Sequence, residues 1–229
     1  MIDRWLSLER DESPMRAYLA MPDDTSATTP SVVIAMHVWG VDEAMRLAAK
    51  RFAENGIAAI VPDLYARFNA PKGSGSTDHR IFVPFAQKLT SDGVSADIAA
   101  SVAYLRERFA SGNIAIAGFC MGGVVALRRT SGNASTFSAA AVWYGALDKA
   151  SPKVADIPIV ASYGADDHGI PAETVDAFRS QLPVPHDFRI YIGAGHGFAD
   201  STRASYAADA AESSWSRVIA FLKPFLGAS

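Results

Sequence analysis

The sequence predicts a single α/β domain: a mostly parallel, doubly wound sheet with helices on both faces, spanning residues 1–229. Three observations predict it. A chain of 229 residues is the usual size for one large buried sheet. Hydrophobic residues make up 49% against 20% charged, enough apolar material to cover both faces and too much for disorder. Short apolar runs alternate with helix-like segments, and short connections leave no domain linker.

The runs are VVIAM (32–36), IAAIV (57–61), IAIAG (114–118), AAAVWY (139–144), IPIVASY (157–163) and FRIYI (188–192). Their nearly continuous apolar character is that of strands buried on both faces, as in a parallel sheet. Between them, residues 43–56, 95–110, 122–130, 172–182 and 206–226 read as helices, the first stopped by Gly56. MPDDTSATTP (21–30) reads as a polar turn between N-terminal strands, and APKGSGSTD (70–78) as a flexible surface loop. No internal repeat is visible.

The balance of charge excludes some functions. A net charge of −3, with 21 scattered basic residues, argues against a nucleic-acid partner. The charged N-terminal segment does not read as a secretory signal, and no stretch approaches the roughly 18 apolar residues of a membrane span. A cytoplasmic protein without a membrane partner is therefore expected. The lone cysteine can form neither an internal disulfide nor a multi-cysteine metal site, which leaves buried filler or chemistry.

Its setting favours chemistry. Gly118-Phe119-Cys120-Met121-Gly122 lies at a strand-to-helix junction, the G-x-nucleophile-x-G pattern with cysteine in the middle. A sharp turn there needs neighbours without a Cβ and lifts the side chain above the sheet's carboxyl edge. The Met121 N–H then faces a reacting carbonyl, and the positive end of the following helix favours a thiolate. The bland alternative is that these glycines only allow a helix to approach a strand closely.

α/β-hydrolases place acid and histidine after the nucleophile, in that order. ASYGADDHGIP (161–171) offers Asp166 and Asp167 at one strand end, and YIGAGHGFAD (191–200) offers His196 at the next. Paired aspartates at a strand end also serve as helix caps or Asx-turns, so one of the two is expected to have that task. His79, His168 and His186 are expected on the surface. Trp39, Phe82, Phe85, Phe119, Trp143, Tyr144 and Phe198 lie in or beside segments near this edge. Some of them line a compact pocket and others are core.

GFCMGG, ADDHGIP and AGHGF, with PDLYAR at 62–67, together resemble the dienelactone hydrolase family over about residues 30–225. The resemblance implies Cys120 as nucleophile, His196 as base and Asp167, rather than Asp166, as the group orienting it. It also implies an oxyanion hole from the backbone N–H groups of Met121 and Val38. Two positions depart from the family. A glutamate that shuttles the thiol proton is replaced by His37, and an arginine four residues past the histidine is replaced by Asp200. A second family arginine, which with the first holds a substrate carboxylate, is matched by Arg80. His37 either favours the charged thiolate or hydrogen-bonds a loop carbonyl.

The expected chemistry is hydrolysis of a small ester or lactone through a thioester, with no metal or organic cofactor required, by a monomer or homodimer. Two alternatives stay open: a general short-chain carboxylesterase, and a non-hydrolytic thiol, redox or ligand-binding protein on the same scaffold.

Overall fold

The computed structural model describes residues 1–10, 13–110, 112–147 and 155–227. Among these residues eight strands form one sheet: β1 (Ile2–Leu8), β2 (Met15–Met21), β3 (Ser31–Ala35), β4 (Ala58–Pro62), β5 (Ile114–Phe119), β6 (Ala139–Trp143), β7 (Ile159–Gly164) and β8 (His186–Tyr191). Their spatial order is β1-β2-β4-β3-β5-β6-β7-β8. The first two pairings, β1 with β2 and β2 with β4, are antiparallel. All later pairings are parallel.

Each of the six apolar runs is a strand, displaced by no more than two residues at either end. Every residue of β3 to β7 is buried. β8 is the exception, half exposed because it has a neighbour on one side only. It therefore begins at His186, two residues before the apolar run that marked it.

The helices are α1 (Glu43–Glu54), α2 (Val83–Ala86), α3 (Ser91–Arg108), α4 (Met121–Arg128), α5 (Ala172–Arg179) and α6 (Ala208–Leu226). Asp42 caps α1 by accepting the Met45 N–H at 3.2 Å, and Gly56, with φ +82°, ends that segment as expected. α3 starts four residues before its apolar pattern because Thr90 caps it, accepting from the Gly93 N–H at 3.1 Å. α2 was not read from the sequence. At four residues, it is too short to show a period.

α1 and α6 meet over one face, where Phe52 lies 5.1 Å from Trp215 and Arg51 pairs with Glu212. Beneath them Trp143 stacks on Phe119 at 4.4 Å and donates its indole N–H to Ser214. This layer anchors the last residue of β5, next to Cys120. α3 and α4 meet over the other face, where Arg129 donates to Ser95. The strand order reverses between β3 and β5, so a crevice opens at their carboxyl ends.

Candidate active site

The elbow after β5 is the site's most constrained feature. Cys120 has φ +54° and ψ −116°, a conformation that an L-residue adopts only when its surroundings enforce it. Its N–H is tied to the Trp143 carbonyl at 3.0 Å, and its carbonyl accepts from Gly123 and Val124 in the first turn of α4. The flanking glycines are needed for room. A Cβ on Gly118 would lie 2.0 Å from the Gly122 carbonyl oxygen, and one on Gly122 would lie 2.0 Å from that of Ala35. α4 can therefore start hard against β3. As its first residue, Met121 has no carbonyl a turn behind it, so its N–H is free for an external acceptor.

The acid and histidine loops meet beside this elbow. After β7, Asp167 is buried, while Asp166 is exposed. After β8, the chain passes Gly193 and Gly197, both at positive φ, and presents His196 between Gly195 and Gly197. Asp167 Oδ2 lies 2.7 Å from His196 Nδ1. Asp167 Oδ1 accepts the Gly169 N–H at 3.0 Å. One residue thus performs both tasks that the sequence divided between two aspartates. The carboxylate can only accept, so Nδ1 carries the hydrogen and Nε2 is left for another partner.

Burial works against the imidazolium. The hydrogen bonds and negative charges of Asp167 and Cys120 outweigh it and push the His196 pKa up to about 9.

The loop after β3 lies on the other side of the crevice. Val38 is half-buried, and its carbonyl accepts the Tyr65 hydroxyl at 3.0 Å. His37 is buried between carboxylates, with Nε2 at 2.8 Å from Asp42 Oδ1 and Nδ1 at 3.9 Å from Asp200 Oδ2. Trp39 donates its indole N–H to the Thr77 carbonyl at 2.7 Å and carries the Arg203 guanidinium at 4.7 Å above its ring.

The remaining expected residues divide into two groups. Tyr144, at φ +40° after β6, lies 5.1 Å from the His196 ring and 5.6 Å from Phe198. Burial, followed by the charges of Asp200 and Cys120, keeps its hydroxyl protonated. Phe119 stacks in the core, and Phe198 is fully buried against Tyr144 and Tyr191. Arg80 is exposed, with its guanidinium on Asp78. His79, His168 and His186 are exposed as expected.

The sequence did not single out Asp42, Tyr65 or Arg203. Asp42 carried a signal, an acidic residue at the helix start, and Tyr65 lies within the PDLYAR segment. Arg203 carried none. Among the described residues, no group of three His, Cys, Asp or Glu side chains has the arrangement of a metal site. No described helix is long and apolar enough to cross a membrane.

The fold, with a cysteine elbow after β5, an acid loop after β7 and a histidine loop after β8, defines an α/β-hydrolase. The dienelactone hydrolase family model matches residues 15–226, and the chain belongs to that family. It is 31% identical over 228 residues to a putative carboxymethylenebutenolidase of Escherichia coli K12, covering 93% of this chain and 83% of that protein. It is 28% identical over 207 residues to a carboxymethylenebutenolidase of Pseudomonas putida, covering 86% and 87% respectively. A crystal structure of a putative dienelactone hydrolase from Klebsiella pneumoniae superposes with a TM-score of 0.85 at 28% identity, covering 96% of this chain and 97% of that one. The chain is a dienelactone hydrolase-like hydrolase.

Proposed function

We propose that this hydrolase opens a small carboxylic ester or lactone by acyl transfer to Cys120. The observation that carries the reading is the 2.7 Å contact of Asp167 with His196, beside a cysteine at positive φ on a helix N-terminus. In the first step the Cys120 thiolate adds to the carbonyl carbon. The resulting oxyanion accepts hydrogen bonds from the N–H groups of Met121 and Val38. As the tetrahedral intermediate collapses, the C–O bond to the leaving alcohol breaks, and imidazolium His196 supplies the alcohol's proton. Water then attacks the thioester, giving its proton to His196 and releasing the acid and the thiolate. Asp167 keeps the ring in one tautomer and stabilises its cation.

The names of the relatives point to an unsaturated lactone bearing a carboxylate. Asp200 favours a second substrate reading, a short neutral ester, because it stands where the family carries an arginine.

The test is a screen of unsaturated lactones and p-nitrophenyl short-chain esters against wild type and Cys120→Ala. Wild type is expected to turn over at least one of them, and stopped reactions should carry an added acyl mass on Cys120. Turnover by Cys120→Ala at the wild-type rate would refute the reading.

A further inference from the structure

His37, Asp42 and Asp200 lie buried in the crevice, only 3%, 7% and 5% exposed, and the acyl-transfer steps use none of their side chains. They come from three segments: the loop after β3, the cap of α1, and the chain beyond the histidine loop. His37 bridges the other two, with Nε2 at 2.8 Å from Asp42 Oδ1 and Nδ1 at 3.9 Å from Asp200 Oδ2. Asp42 Oδ1 also caps α1, and Asp200 Oδ1 accepts the N–H and hydroxyl of Thr202 at 2.9 and 2.7 Å. The second oxygen of each carboxylate is buried without a hydrogen-bond partner. Two carboxylates so placed repel each other, and burying them without a cation is costly. Arg46 donates to the Asp42 backbone carbonyl and the Arg203 guanidinium lies over the Trp39 ring, so the imidazole ring is what stands directly between the two acids.

We infer that Asp42, His37 and Asp200 form a positioning device that locks the Val38 loop to the histidine loop, so that His37 acts on the oxyanion donor and does not carry the thiol proton. This rests on the acyl-transfer reading above. One ring nitrogen is hydrogen-bonded to Asp42 and the other faces Asp200, so neither is left to take up the thiol proton. The effect on Val38 is mechanical. Its N–H belongs to the peptide plane it shares with His37, whose side chain is clamped. Its carbonyl, in the next plane, is held by the Tyr65 hydroxyl at 3.0 Å. Fixing both planes fixes the direction of the N–H between them.

The experiment separates turnover from thiol reactivity, because alkylation of Cys120 uses the thiolate and no oxyanion hole. His37→Gln is expected to lower kcat about 100-fold, the scale on which a misplacement of about 1 Å in the reacting geometry acts. KM and the rate of iodoacetamide labelling should stay near wild type. A parallel fall in labelling would overturn the inference, since His37 would then act on the thiolate. Unchanged kcat would overturn it too. If His37→Gln fails to fold, the charge-reversed pair decides. His37→Glu puts a third carboxylate in the cluster, and His37→Glu/Asp200→Arg restores opposite charges across it. Recovery of kcat in the double variant supports the lock, and its absence overturns it. Failure of the acyl-transfer reading would register separately, as wild-type turnover by Cys120→Ala.

Discussion

At His196 burial disfavours the cation and two partners favour it. The partners prevail, leaving a pKa of about 9 against an ordinary 6.5. A folded-state pKa above the unfolded one adds stability that is fully present below about 6.5 and is lost as pH rises through about 9. Thermal midpoints should therefore decline over that window, and less so in Asp167→Asn, which lacks the ionic partner. The same proton serves the leaving group, so kcat/KM should fall on an alkaline limb near pH 9. Asp167→Asn should shift that limb toward neutral pH and cost about 10⁴-fold in kcat, whereas exposed Asp166→Asn should change little. Rate profiles of the three proteins on one ester check both claims. A limb that stayed put in Asp167→Asn would remove that residue from its role.

At the scale of elements, one buried carboxylate ties α3 to two distant segments. Asp97, fully buried on α3, pairs with Arg10 beyond β1 at 2.7 Å and with Arg67 of the PDLYAR segment at 2.6 Å. The Arg10 side chain is itself buried, so removing the acid strands a cation away from water. Asp97→Ala should cost about 3–5 kcal/mol, measured by urea unfolding, while leaving KM near wild type. The strands were legible because being covered on both faces leaves a nearly unbroken apolar run. The early start of α3 was not, because it depends on the Thr90 cap rather than on apolar period. β8 was legible only in part, since an edge strand mixes exposed and buried positions.

At the scale of the whole molecule, one sheet runs through one continuous core among the described residues, and α1 and α6 meet within it through Phe52 and Trp215. One cooperative unfolding unit is the expected behaviour. Trp143 and Trp215 report the core, and far-UV circular dichroism reports the sheet and helices. The two signals should follow coincident urea transitions, and two separated transitions would show that the chain divides into domains.

The sequence by itself determined the alternation of strands and helices, the elbow at Cys120, and the order of the cysteine, aspartate and histidine loops. These are local properties: an apolar run, two glycines around one residue, a polar loop after a strand. Resemblance then preferred Asp167, but the residues alone left both aspartates open. Only the tertiary structure turns Asp167 to His196 while its other oxygen closes a local turn. It alone decided the sheet order, with β3 between β4 and β5, because strand pairing is a long-range choice that local pattern does not encode. It also brought Asp200 to His37 across most of the chain. Neither residue signals that encounter locally, since the contact exists only once the ends of β3 and β8 share one edge.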